Sequence, residues 1–399
     1  MARIRYWVWL SCLQGVRPKM KYRLLEALGG PDRIYTASER DLTRFPDLRP
    51  RELELLLDRT MDRTENALTV CAEKGISIFT LQDAQYPERL RQIPDPPAVL
   101  YVWGRLPAVD EYRTVAVVGT RKPSVYGIRI AGQLGRELTE GGAIVVSGLA
   151  DGCDGIAMDA ALRAGGDTIG VLGTAIDVVY PAKNRWLFEQ VKVHGALVSE
   201  YPPGVPGYPA NFKARNRIIS GLSLGVVVAE APIKSGTRVT VDHALEQGRD
   251  VFAVPGNTDS AASAGCNDLI ARGAALVSSG ADILETYAER RDLAFYREPG
   301  EKTHRAAPRP DPTPIKKEID KPQDIVYIDL SEEEKKLPPA QQSVLLAITK
   351  PEMHADELIE ATGMPAQKVL AALTMLQMRG FVSQNGRRYS RKNNMQRGF

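Results

Sequence analysis

The segment TVAVVG at residues 114–119 is a wholly apolar run that ends in glycine, and it predicts a buried strand followed by a helix. Five further largely apolar runs follow, each succeeded by a helical pattern, and three of them also end in glycine: AIVVSG 143–148, DTIGVLG 167–173, GALVSE 195–200, LGVVVAEA 224–231 and DVFAVPG 250–256. Such alternation is typical of a parallel sheet with helices on both faces. The sequence therefore predicts an α/β fold with a Rossmann-like parallel sheet core over residues 96–292.

Smaller units are predicted on either side of this core. Residues 1–95 carry short helical patterns broken by glycine and proline, which predict a small all-helical domain of SAM or helix-hairpin-helix type, with a hairpin turn at 15–17. Residues 293–336 are rich in proline and charge and poor in large apolar residues, which predicts a flexible linker. Residues 337–392 show three helical segments and a short hairpin, the pattern of a winged-helix domain.

The composition excludes several classes of protein. The 399 residues carry a net charge of only +3, so a polyanion would have to meet local clusters of charge. The four cysteines form no CxxC pair and the four histidines show no ligand spacing, so we expect neither disulfides nor a metal. The apolar run at 6–13 is too short to span a membrane. We expect a cytoplasmic protein with no membrane contact and no cofactor.

Three predicted strands end in loops that are suited to phosphate. A glycine there lets an anion approach the backbone closely, and the amides at the start of the next helix are available as donors. None of these loops has the Walker or the GxGxxG pattern. The candidate residues in the loops are Gly119, Thr120, Arg121, Ser147, Gly148, Ser235, Gly236 and Thr237.

The segment NFKARNR at residues 211–217 combines three cations with an aromatic ring and contains no acid. Arginine pairs phosphates bidentately, and phenylalanine stacks on an unpaired base, so the segment predicts binding of single-stranded nucleic acid. The alternative is a basic helix start that is merely solvated. We expect these cations, like Arg121, to lie outside the packed sheet. The candidate residues are Phe212, Lys213, Arg215, Asn216 and Arg217.

The predicted winged helix is basic. No acidic residue follows Glu360, and the cations beyond it are Lys368, Arg379, Arg387, Arg388, Arg391, Lys392 and Arg397. Such a surface attracts DNA through its phosphates, but winged helices also bind proteins. Duplex or single-stranded DNA and a protein therefore both remain open as its partner.

The order of the motifs resembles one known family. VAVVGTRKPSVYG, SGLADGCDGIAMDAAL, IDVVYPAKN, FKARNRIISGLS, SGTRVTVDHALEQGRDVFAVPG and GCNDLIARGA follow one another as in the DNA-processing protein A (DprA/Smf) family, over about residues 80–285. The resemblance implies a homodimer that binds and protects single-stranded DNA and loads the RecA recombinase during natural transformation, without catalysis of its own. It implies a binding pocket made of Gly119, Thr120, Arg121, Phe212, Arg215, Asn216 and Arg217, with Lys183 as a further candidate.

The chain departs from the family pattern at three positions. Pro209 stands three residues before Phe212, where the family often has a basic residue. Met158 follows Ala157 where histidine is usual, and Asp151 stands where arginine is common. These departures concern the rim of the predicted pocket.

Two other functions compete with this interpretation. A Rossmann-type phosphoribohydrolase that cleaves nucleoside 5′-monophosphates needs a PGGxGT run with a nearby catalytic glutamate, and residues 235–242 lack that run. A dinucleotide-binding regulator would need the glycine fingerprint, which is also missing. Single-stranded DNA binding is the function that the sequence favours.

Overall fold

A nine-stranded sheet organises the larger part of the computed structural model. Its strands are β1 Ser77–Thr80, β2 Val99–Gly104, β3 Thr114–Val118, β4 Ile144–Ser147, β5 Thr168–Leu172, β6 Gly195–Ser199, β7 Gly225–Val228, β8 Asp250–Ala253 and β9 Ala275–Leu276. The strand order is β1-β2-β6-β5-β4-β3-β7-β8-β9. Strands β3 to β9 pair in parallel, while β2 pairs antiparallel with both β1 and β6. The predicted α/β class with a Rossmann-like parallel core is confirmed.

Helices cover both faces of this sheet. They are α1 Ala2–Cys12, α2 Pro18–Leu28, α3 Pro31–Thr36, α4 Glu39–Leu42, α5 Pro50–Leu57, α6 Asp62–Lys74, α7 Glu88–Arg91, α8 Val125–Glu140, α9 Cys153–Arg163, α10 Arg185–Val193, α11 Pro209–Gly221, α12 Thr237–Glu246, α13 Ala264–Ala271 and α14 Gly280–Thr286. A short 3₁₀ turn spans Ala182–Asn184. Along β3, Val115 and Val117 belong to one apolar core, and Ala116 and Val118 belong to the other. The sheet is therefore buried on both sides, as its uninterrupted apolar strands require.

The N-terminal helices share a core with the sheet. Trp9 of α1 and Leu24 of α2 lie in the same apolar cluster as Tyr101 of β2. Strand β1 falls within the range that we predicted to be all-helical: α6 ends at Lys74, Gly75 caps it in a left-handed conformation (φ +66°), and Ser77–Thr80 then pair with β2. The β-branched and aromatic side chains of SIFT suit a strand once β2 offers a partner edge.

The described residues are 2–289, 337–348, 353–379, 381–385 and 388–391. The chain divides into two units, Met1–Pro312 and Thr313–Phe399, and the predicted linker at 293–336 lies outside the described residues. No helix within these ranges is long and apolar enough to cross a membrane.

The second unit has the elements predicted for a winged helix. They are α15 Pro339–Ala347, β10 Met353–His354, α16 Ala355–Thr362, α17 Ala366–Met378, β11 Val382–Asn385 and β12 Arg388–Arg391, with the strand order β10-β12-β11. Val344, Leu358 and Leu373 are central to a core of its own. Lys368, Arg379 and Arg388 are exposed, and so are Leu370 and Met375 on α17. The candidate cations Arg387, Lys392 and Arg397 fall outside the described residues.

Candidate functional site

A pocket opens at the carboxyl ends of β3, β4 and β5, on the side covered by α11. In doubly wound sheets, ligands bind at this edge. The pocket has about 370 Å³ of empty volume, part of it open to solvent. It is lined by Arg121, Gly148, Ala150, Asp151, Leu172, Gly173, Thr174, Tyr180, Pro181, Phe212 and Arg215. The structure thus brings Arg121, Gly148, Phe212 and Arg215 together, as the sequence predicts.

Phe212 has a second aromatic ring and a cation close to it. Its ring centroid is 5.1 Å from that of Tyr180, and the guanidinium carbon of Arg121 lies 6.0 Å from the Phe212 centroid. Arg121 is exposed on the loop after β3, and Phe212 is half-buried. Together they offer an aromatic surface next to an exposed positive charge at the mouth of the pocket.

A glycine at the end of β5 makes room for Phe212. A Cβ placed on Gly173 would lie 2.7 Å from Cδ1 and 3.1 Å from Cα of Phe212. Real side chains do not approach so closely, so α11 can pack against this strand end only because residue 173 lacks a side chain. Gly173 was not among the predicted site residues, although it ends the run DTIGVLG in the same way as Gly119 ends TVAVVG.

Arg215 forms the buried floor of the pocket. Its Nη1 donates to the carbonyl oxygen of Gly148 at 2.9 Å and also to that of Val171. The carboxylate of Asp154 accepts from the Gly148 amide at 3.1 Å and faces the guanidinium. Burial lowers the pKa of Arg215 to about 10, while Asp154 opposes this change, so the side chain is charged at neutral pH. Arg215 therefore ties α11 to the ends of β4 and β5 and is not the loose surface cation that we expected.

Arg217 does not line the pocket, and its environment differs from the prediction. Its side chain is 1% exposed, with Nε 3.2 Å from Oδ2 of Asp95 and Nη2 2.9 Å from Oε1 of Glu200. Burial alone lowers the pKa of Arg217, but the two carboxylates raise it above the ordinary value for arginine. Arg217 is thus enclosed by two acidic residues and has no access to a phosphate. It positions α11 instead.

Two amides of the loop after β3, those of Thr120 and Ser124, are used in contacts within the protein. The Thr120 amide donates to the carbonyl oxygen of Glu230 at 2.8 Å. The buried Glu230 carboxylate accepts from the Ser124 amide at 2.7 Å and from its hydroxyl at 2.5 Å, so it occupies the N-terminus of α8. In dinucleotide-binding Rossmann folds, the pyrophosphate lies at this position. The predicted phosphate cradle at Gly119 and Thr120 is therefore filled by a carboxylate of the chain itself.

Several other predicted residues lie outside the pocket. The Ser147 hydroxyl is buried and donates to the carbonyl oxygen of Val117 at 2.6 Å. Ser235, Gly236 and Thr237 follow β7, where the Ser235 hydroxyl donates to that of Thr237 at 3.0 Å. Among the residues that line the pocket, none comes from this loop.

The remaining candidates lie around the pocket. Lys213 is exposed on α11, and Asn216 accepts a hydrogen bond from Nε of Arg215 at 3.2 Å. Lys183 pairs with Asp151 at 3.0 Å. Of the three departures from the family pattern, Met158 is fully buried in the core, Pro209 is exposed at the start of α11, and Asp151 lines the pocket.

The predicted helix-hairpin-helix turn is also committed to internal contacts. Arg17 donates through Nε and Nη2 to the two carboxylate oxygens of Glu52, both at 2.8 Å.

Within the described residues, no group of three or more His, Cys, Asp or Glu side chains could hold a metal ion, and all four cysteines are buried with reduced thiols.

The fold and the pocket define a Rossmann-like protein with a cationic, aromatic pocket at the carboxyl ends of its strands and a separate winged-helix unit. The family model for DNA recombination-mediator protein A matches residues 77–288, and that for the DprA winged helix domain matches residues 330–386. The chain belongs to the DNA recombination-mediator protein A (DprA/Smf) family, as the resemblance of its motifs implied.

Relatives and one solved structure agree with this assignment. Protein Smf of Synechocystis sp. is 33% identical over 97% of this chain and 98% of its own length. DNA processing protein DprA of Bacillus subtilis is 39% identical over 59% of this chain and 79% of its own length. The X-ray structure of DNA processing protein A from Streptococcus pneumoniae is similar with a TM-score of 0.60 at 35% identity, covering 70% of this chain and 97% of that chain.

Proposed function

We propose that the pocket binds single-stranded DNA, with an unpaired base stacked on Phe212 and the adjoining phosphate paired with Arg121. The observation that carries this proposal is the position of the exposed Arg121 guanidinium 6.0 Å from the Phe212 ring, at the mouth of an open pocket. A base reaches an aromatic face only when it is unpaired, and every base has such a face. The pocket therefore suits single strands of any sequence.

The buried cations give this site a firm base. Arg215 attaches α11 to the end of β4 through the carbonyl oxygen of Gly148, and Arg217 attaches it to Asp95 and Glu200. Phe212 therefore lies on a helix whose position is fixed. Preorganised binding groups lose little entropy when the ligand arrives. We assign Arg121 and Phe212 to direct contact with the strand and Arg215 and Arg217 to positioning.

Membership of the family supports a wider role. We propose that the protein acts in the cytoplasm as a homodimer that protects incoming single-stranded DNA and loads the RecA recombinase.

We place the dimer contact at the β9 edge, because Leu276 there is 57% exposed and an edge strand offers unpaired backbone groups. Leu276→Glu should then give monomers in sedimentation, whereas a dimer that persists would move the contact elsewhere.

The winged-helix unit is proposed to bind a second partner, duplex DNA or a protein. Lys368 and Arg379 suit phosphates, whereas the exposed Leu370 and Met375 of α17 suit a protein surface. Duplex binding that falls with Lys368→Glu and Arg379→Glu would favour DNA. Duplex binding that is unaffected by these two changes would favour a protein.

We propose that the protein acts without turnover of nucleotides. Asp151, the sole acidic residue among those that line the pocket, is paired with Lys183 and so is poorly placed as a general acid or nucleophile. The phosphoribohydrolase alternative requires such a carboxylate. Hydrolysis of AMP by the purified protein at a steady rate, lost on Asp151→Asn, would instead favour that enzyme.

The binding proposal is tested by salt titration of matched variants. Arg121→Ala should weaken oligonucleotide binding and flatten the slope of log affinity against log salt by about 0.7, the value for one phosphate contact on a single strand. Phe212→Ala should cost about 1–3 kcal/mol with an unchanged slope, because no charge is lost. Lys122→Ala is the control, since Lys122 is also exposed next to Arg121 but does not line the pocket. Equal effects of Arg121→Ala and Lys122→Ala would mean that the DNA is attracted by the general surface charge and is not bound at the pocket.

A further inference from the structure

A carboxylate lines a pocket that is otherwise suited to an anion. Asp151 follows β4 and is the one acidic residue among those that line the pocket with Arg121 and Arg215. Its Oδ2 lies 3.0 Å from Nζ of Lys183, and the two side chains are 30% and 67% exposed. A negative charge beside a bound phosphate opposes binding, so its presence here needs a physical reason.

Folding stability does not supply that reason. An ion pair as exposed as this one contributes little to stability. The second carboxylate oxygen, Oδ1, is buried without a hydrogen-bond partner in the structure. No hydrogen bond from the protein to Oδ1 reinforces the pair, so the pair does not belong to a wider stabilising network.

The pair does control how much positive charge the pocket presents. Lys183 lies on the 3₁₀ turn directly after Tyr180 and Pro181, which line the pocket. Without Asp151, its ammonium would be an exposed cation on a long flexible stem at the rim, able to reach a phosphate of a bound strand. With Asp151, a phosphate must displace a carboxylate to gain that contact.

We propose that Asp151 restrains the DNA affinity of the pocket by holding Lys183 in an ion pair, so that one phosphate contact is withheld from the bound strand. The proposal rests on the proposed function of the pocket. A strand held by fewer ionic contacts dissociates faster, which keeps the complex ready to pass the strand on. Asp151 is in this sense a residue that sets affinity and is not itself a ligand of the DNA.

The test is the affinity of full-length Asp151→Asn for a fluorescent oligothymidylate over a range of salt concentrations. Releasing Lys183 can gain no more than the exposed ion pair is worth, so the variant should bind up to about fivefold more tightly at 50 mM salt, with a salt slope steeper by about 0.7 for the one additional phosphate contact. This advantage should shrink about fivefold when salt rises tenfold. The matched control is Asp159→Asn, which releases Arg163 from a 3.0 Å pair on α9 and changes the net charge equally. It should bind as the parent does.

A second background separates the ion pair from simple repulsion. In Lys183→Ala, the further change Asp151→Asn should raise affinity by less than it does when Lys183 is present, because no cation is left to release and only the repulsion by the carboxylate is removed. An equal gain with and without Lys183 would overturn the proposal and leave direct repulsion by the carboxylate. An unchanged affinity of Asp151→Asn, in a parent that still depends on Arg121, would overturn it without touching the proposed function. Loss of the Arg121 dependence itself would instead refute the proposed function.

Discussion

Replacing Arg217 with alanine should destabilise the fold and not merely weaken its binding of DNA. The side chain is 1% exposed and pairs with Asp95 and Glu200 at 3.2 and 2.9 Å. It also donates to the carbonyl oxygens of Asp95 and Ala214, both at 3.0 Å. The alanine variant leaves the buried carboxylate of Glu200 and the half-buried carboxylate of Asp95 without their cation. Breaking a buried pair in this way costs about 3–5 kcal/mol.

The measurement is the thermal transition of the sheet unit, followed by circular dichroism at neutral pH. For a unit of about 290 residues, about 1.7 °C are lost per kcal/mol, so the midpoint should fall by roughly 5–8 °C. Arg121→Ala is the control, since that exposed arginine should leave the midpoint unchanged while it weakens DNA binding. A variant of Arg217 that melts like the parent yet loses affinity for DNA would refute the reasoning and restore Arg217 as a phosphate ligand.

Three further outcomes are expected. Gly173→Ala should lower the affinity for single-stranded DNA, because the added Cβ would clash with Phe212. Gly236→Ala is the control and should leave the affinity unchanged, because a Cβ there meets no atom within 4 Å. Calorimetric titration of both variants with one oligonucleotide checks this. Burial raises the pKa of Glu52, but hydrogen bonds from Arg17 and Arg49 outweigh it and lower that pKa to about 2. Glu52 should therefore contribute about 3 kcal/mol above pH 4.5 that is lost as the pH falls towards 2, so the stability difference between the parent and Glu52→Gln in urea titrations should shrink over that range. NAD and AMP should not displace a bound oligonucleotide in a competition assay, since Glu230 occupies the N-terminus of α8; displacement at micromolar concentration would contradict this.

The architecture could be predicted because each strand of the core carries its own signal. A run such as TVAVVG is apolar on both faces and ends in glycine, so it specifies a strand that is buried on both sides, whatever its neighbours are. Strand β1 escaped prediction because SIFT becomes a strand only through its pairing with β2, a contact that local pattern does not encode.

The site could be predicted only in part. Arg121 and Phe212 follow from residue type and from their positions at a strand end and a helix start. Arg217 does not, because two residues along a helix turn the side chain by about 200°, and whether that direction meets solvent depends on Glu200 and Asp95, which come from distant segments. Glu230 is visible in the sequence as an acidic residue at the end of the apolar run LGVVVAEA. Its contact with Ser124 could not be predicted, because the two residues lie about a hundred positions apart in the chain.

Tyr180 shows how the pocket assembles from such distant pieces. It lies in the loop after β5, between a strand end and the 3₁₀ turn, and reaches Phe212 only because Gly173 lets α11 close over that loop. A glycine at position 173 indicates that another segment packs closely against this strand end, and the structure shows that the segment is α11.

Ultraviolet crosslinking of the full-length protein to an unmodified single-stranded oligonucleotide, with the crosslinked residue located by mass spectrometry, tests the placement of the DNA most directly. An aromatic ring stacked on a base is the contact such a crosslink records, so the account predicts crosslinks at Phe212 and Tyr180, abolished at the first position by Phe212→Ala. The exposed Tyr208 at the start of α11 serves as an internal control for mere proximity. Crosslinks confined to Tyr208 or to Tyr389 of the winged-helix unit, with none at Phe212 or Tyr180, would contradict the assignment of the pocket to the strand.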